Sequence, residues 1–179
     1  TNLSNTELGD IFAVYGITAM MAYFFGGPIA DRFRPRTLMA LSLITTSLGG
    51  LILLYDPTVI QLKILYGYWG LTTILLFWAP LIRSTREWGG TLFQGRAFGF
   101  LDGGRGLAAA ILASGGVTIL SNSIESGNGI DALIVYYTIA TFLAGILILL
   151  AIPKGSITKV SLDRSSQPNL IQNKFLWLQ

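Results

Sequence analysis

Charged side chains able to do chemistry are scarce in this chain of 179 residues, and they gather at three places. The segment "GGPIADRFRPR" (26–36) carries Asp31 with Arg32, Arg34 and Arg36. "LDGGRG" (101–106) carries Asp102 and Arg105, and "KILYGYWG" (63–70) opens on Lys63. A guanidinium is a planar fork of donors that grips a carboxylate or a phosphate at two points, while an ammonium is a compact point charge. The chemistry on offer is therefore recognition of anions and exchange of ion pairs. Cysteine and histidine are both absent, which removes disulfides, thiol nucleophiles, zinc-thiolate sites and imidazole acid–base catalysis. No metal or other cofactor is expected.

The elements that position these charges follow from what separates them. Ile11–Ala30, Thr37–Tyr55, Ile64–Ile82, Gly106–Ile124 and Ala132–Pro153 contain no Asp, Glu, Lys or Arg. The whole chain is 52% hydrophobic and 12% charged, with a mean hydropathy of +0.61, against about 25% charge in an ordinary soluble domain. A hydrocarbon layer of about 30 Å is crossed by about 20 helical residues at 1.5 Å each, so each run suffices for one crossing. Barrel strands would alternate apolar and polar residues, and "GGLILLY" (49–55) and "GILILLAIP" (145–153) do not. The expected fold is an all-α, multi-pass integral membrane bundle with helices about 8–30, 37–55, 59–82, 95–121 and 131–153. The start, "TNLSNTELGD", has no basic region ahead of an apolar stretch and does not read as a secretory signal.

Topology follows from the basic residues. Arg32, Arg34 and Arg36 lie between the first two runs, Arg83, Arg86 and Arg96 between the third and fourth, and Lys154, Lys159, Arg164 and Lys174 after the fifth. The intervening connections are acidic or neutral apart from Lys63. Basic loops stay in the cytoplasm, so the N-terminus of this chain is expected outside and its C-terminus inside. With a net charge of +3 from scattered cations there is no phosphate-binding face, and nucleic acid is not an expected partner. The polar stretch 154–169, "KGSITKVSLDRSSQPN", reads as a cytoplasmic linker, and 170–179, "LIQNKFLWLQ", as the start of a further, truncated helix.

"GGPIADRFRPRTLM" resembles the signature loop of the major facilitator superfamily, roughly G-x-L-A-D-R-x-G-R-R-x-x-L, which joins that family's second and third helices. Gly27, Ile29, Ala30, Asp31, Arg32, Arg36 and Met39 fit or nearly fit; Arg34 and Pro35 depart, in a "DRF-x-PR" form similar to the organophosphate and organic-anion branch. "KILYGYWG" is similar to the family's fourth helix, with lysine for arginine. "REWGGTLFQGRAFGF" (86–100) resembles the loop into the fifth, with Gln94-Gly95-Arg96-Ala97 near the usual R-G-R-A. The resemblance implies a partial N-terminal half, helices two to six, whose partners are the missing first helix and C-terminal half of the same transporter. It further implies a cell or inner membrane location, a small and anionic solute, and alternating access by two rocking halves. Gly27, Asp31, Arg32, Arg36 and Arg96 would form the cytoplasmic gating motif. The antiporter signature of the fifth helix is absent.

For the solute itself, Arg105 is the leading candidate, about 13 Å deep if its helix begins near Arg96. A later helix start would make it one more cytoplasmic charge, and Asp102 on the same helical face could instead neutralise it. Lys63, Tyr68 and Trp69 are further candidates for the path, against snorkelling for the lysine and packing or interfacial anchoring for the aromatics. Trp78 and Trp88 read as interfacial anchors. The glycine pairs Gly67/Gly70 and Gly99/Gly103 read as close helix contacts. Two rival functions stay open. One is a truncated transporter-like membrane protein without transport activity. The other is a membrane enzyme of the phospholipid head-group transferase kind, which "DGGRG" faintly resembles but which would need further aspartates that Ala109–Asn122 lacks.

Overall fold

A computed structural model describes residues 3–123 and 128–152. Within it, five helices are long and apolar enough to cross a membrane: α1 (Asn5–Arg32), α2 (Pro35–Tyr55), α3 (Val59–Gly89), α4 (Gln94–Ser123) and α5 (Gly129–Ala151). No strand occurs among the described residues. The stretches 154–169 and 170–179, read as linker and truncated helix, lie outside the described residues.

Local chemistry sets the ends. The Ser4 side chain accepts from the Glu7 N–H while Glu7 bonds back to the Ser4 backbone, a capping box that starts α1; Thr58 and Gln61 do the same for α3. Between them, Asp56 takes the left-handed conformation at φ 48° and Pro57 follows, which stops α2 after a closing 3-10 turn, Leu51–Tyr55. Gly90, at φ 54°, ends α3 in a conformation that side chains resist.

Two helices end beyond their uncharged runs. α1 continues through Pro28 to Arg32, so Asp31 and Arg32 occupy its last turn and only Phe33 and Arg34 lie between α1 and α2. The expected six-residue loop is thus mostly helix. α3 runs on to Gly89 and contains one wide π-turn, Ile74–Trp78, just before Pro80. Such a turn inserts extra backbone into the ladder and often accompanies function.

Glycine governs the packing, as it does where lipid rather than water surrounds helices. α1 lies along α3, where a side-chain carbon at Gly70 would stand 2.8 Å from the Tyr15 carbonyl oxygen and one at Gly67 3.2 Å from Val14. α2 lies along α5, where Gly145 faces the Ala40 carbonyl and Ile44. A carbon added at Gly26 would meet the Ala79 methyl at 3.3 Å, whereas one added at Gly27, Gly99 or Gly103 would meet no neighbouring element within 4 Å. The close approach expected of the glycine pairs therefore holds for Gly67/Gly70 and not for Gly99/Gly103, and at the end of α1 it belongs to Gly26 rather than Gly27. The small core sits between α1, α2 and α3, around Ile11, Ala22, Met39 and Leu65. Only Ala97 and Gly116 of α4 are buried, so this helix shows most of its surface.

Candidate solute site and charge cluster

α4 begins at Gln94, early enough to carry Arg105 into the bundle. At 1.5 Å per residue the Arg105 Cα sits about 16 Å along the helix from that end, and its side chain reaches back toward it. Nη1 donates to the Asp102 carboxylate at 3.3 Å, one helical turn back, and the guanidinium carbon lies 4.8 Å from the centre of the Trp78 ring. Trp78 closes the π-turn of α3. Its ring, read from the sequence as an interfacial anchor, is the plate beneath this cation. Stacking of this kind stabilises a cation by about 0.5 kcal/mol when exposed and about 2 kcal/mol when dry. The arginine and aspartate side chains keep 53% and 73% of their exposure, so the pair opens onto the uncovered face of α4. Among the described residues no other hydrogen bond engages Arg105, which leaves the rest of the fork available.

The other path candidates are elsewhere. Lys63 binds Asp10 of α1 at 2.8 Å, about 22 Å along α3 from Trp78. Tyr68 donates to the Thr45 carbonyl at 2.7 Å, and the Trp69 indole N–H to the Thr46 carbonyl at 3.1 Å. Both aromatics therefore fasten α3 to α2, and neither meets Arg105 or Lys63. Tyr66, between Phe12 and Trp69, adds ring contacts to the same packing.

The charge cluster at the junction of α1 and α2 also departs from the sequence reading. Asp31 lies 3.9 Å from Arg83, a residue of α3 that the motif does not include. Arg83 donates to the Ala30 carbonyl and pairs with Glu87 at 2.7 Å. Its side chain is only 17% exposed, so it forms the hub of the cluster. Arg36 instead donates to the Leu149 carbonyl in the last turn of α5, where helix carbonyls lack intrahelical partners. Arg96 lies over the Phe93 ring at 5.5 Å. Arg32 is exposed and has no ion-pair partner among the described residues, and Gly27 faces open space. Of the five gate residues, then, only Asp31 meets an opposite charge among the described residues. Arg83 and Glu87 were visible in the sequence as an i, i+4 pair of opposite sign. Trp78 carried no such signal, because its role depends on the π-turn.

Five apolar helices, with a cation–carboxylate pair part-way along one of them and a charge cluster at the junction of the first two, define a multi-pass helical membrane protein. The family model described as Major Facilitator Superfamily matches residues 1–178, and the chain belongs to that superfamily. It is 32% identical over 146 residues to "Inner membrane protein YqcE" of Escherichia coli, covering 80% of this chain and 34% of that protein. It is 25% identical over 185 residues to "Inner membrane protein YihN" of the same organism, covering 99% and 44%. An "Uncharacterized protein MG294 homolog" of Mycoplasma pneumoniae is 25% identical over 118 residues, covering 59% and 24%. The chain thus spans less than half the length of these relatives. No solved structure matches it.

Proposed function

We propose that the chain is the N-terminal part of a secondary active transporter of the inner membrane that carries a small organic anion, a sugar phosphate, sugar acid or carboxylate, by alternating access. The observation that carries this reading is Arg105 held over Trp78 within the span. A charge at such depth costs roughly 3 kcal/mol on insertion scales and recurs where it faces a cavity or pathway. Asp102 is the resting counter-ion, and a substrate carboxylate or phosphate exchanges with it on the guanidinium fork. The membrane-transport role of the superfamily and the names of the two Escherichia coli relatives support the location and the class. The basic loops support an orientation with the N-terminus of this chain outside. In the same reading Asp31, clamped by Arg83, belongs to a latch that holds the cytoplasmic side closed, and Arg32, Arg36 and Arg96 support it at longer range. Tyr68, Trp69 and Lys63 frame the path without binding the anion directly.

Uptake of a panel of anions by the full-length protein in proteoliposomes tests this. Arg105→Ala should lower kcat/KM by roughly 30-fold or more, the loss expected when the cation that grips a bound anion in a closed site is truncated. Arg105→Lys should recover little of it, since a point charge cannot replace the fork. Wild-type rates in Arg105→Ala, or no uptake of any anion by the intact protein, would refute the proposal and favour a transporter-like protein without activity.

A further inference from the structure

Beside the charge cluster, a cleft of about 590 Å³ opens between the end of α1, the start of α2 and the middle of α3, and Arg105 is not among its lining residues. Its walls are Ile29, Leu38, Leu41 and Leu76, and Arg32 and Arg34 stand at its mouth with Phe33 between them. The two guanidiniums are exposed and neither has an ion-pair partner among the described residues. The nearest carboxylate, Asp31, is directed to Arg83. The Phe33 ring is 56% exposed, as suits a side chain at the boundary between hydrocarbon and headgroups. An apolar slot that runs into the span and ends at two free cations has the dimensions and polarity of one acyl chain beneath an anionic headgroup.

From this arrangement we infer that the cleft is a binding site for an anionic phospholipid, with the headgroup phosphate on Arg32 and Arg34 and an acyl chain against Leu41 and Leu76. Basic pockets between membrane helices bind anionic headgroups in this manner, and each cation near the surface strengthens the attachment by roughly fivefold. The proposal needs neither the solute site nor the latch. It also gives Arg34, which stands where the superfamily's loop usually has glycine, a role that a tight turn would not require.

The test is retention of lipid by the full-length protein purified from bilayers of equal phosphatidylglycerol and phosphatidylethanolamine, read by native mass spectrometry. The wild type should retain phosphatidylglycerol in preference, and the double variant Arg32→Gln/Arg34→Gln should lose that preference by roughly 30-fold. Arg86→Gln, which removes a cation outside the cleft, should leave it intact. Leu41→Trp, which narrows the slot and keeps both charges, should weaken retention of the bound lipid. A second measurement places Trp at Phe33 and reads quenching by brominated phosphatidylglycerol. Equal retention of the two lipids, unchanged retention in the double variant, displacement by inorganic phosphate alone, or no quenching at position 33 because another part of the protein covers it, would each overturn the inference.

Discussion

Replacing Gly70 by alanine should separate α1 from α3, and the structure sets the size of the effect. The added carbon would lie 2.8 Å from the Tyr15 carbonyl oxygen and 3.1 Å from the Ala19 nitrogen, both backbone atoms of α1. It would also strike the Thr18 hydroxyl, which is held by the Val14 and Tyr15 carbonyls at 3.0 Å and has no free rotation to yield. Ordinary contact begins near 3.4 Å, so α1 must retreat by about 0.6 Å along a seam that continues through Gly67. Overpacking of this kind costs about 1–3 kcal/mol, which is large against the marginal stability of a fold. The assay is thermal or steric-trap unfolding of the full-length protein, followed by its tryptophan fluorescence. Gly95→Ala is the control, since no atom lies within 4 Å of the position and it sits in the first turn of α4. The reasoning is refuted if Gly70→Ala unfolds like the wild type, or if Gly95→Ala is destabilised as strongly.

Two further outcomes are expected. Asp31→Asn should shift the ratio of inward-open to outward-open protein by about fivefold at most, because the carboxylate is 79% exposed and exposed pairs contribute no more than about 1 kcal/mol; distances between spin labels on the two halves of the full-length protein measure it, and an unchanged ratio removes Asp31 from the latch. Single cysteines beside Arg34 and Asn128 should react with an impermeant reagent from opposite sides of the membrane, and labelling of both from one side would overturn the proposed orientation.

The five helices were legible because uncharged runs of this length have one structural use in lipid, and because Pro, Gly and the capping residues punctuate them. Their inner ends were less so. Charge marks where hydrocarbon stops, not where a helix stops, so Asp31 and Arg32 read as loop although α1 continues through them. Arg105 stood out by its type within a long apolar helix, and its pairing with Asp102 by spacing. That Trp78 lies beneath it could not be read, because a regular helix would aim that ring in another direction. Lys63 looked like a lone cation until α1 brought Asp10 to it across a distance in sequence that no local pattern spans. The gate motif named residues by likeness, while Arg83 became the partner of Asp31 only through the packing of α1 on α3.

The wide turn at Ile74–Trp78 lets one rod obey two phases. On one side of it, Gly67 and Gly70 mesh with α1; on the other, Trp78 and Arg83 are offset in azimuth by the surplus backbone, as a coupling offsets two shafts. Rewinding that turn into regular α-helix with every residue kept would swing everything downstream by about 100°. The tryptophan and the arginine would leave their partners together, although neither had been altered.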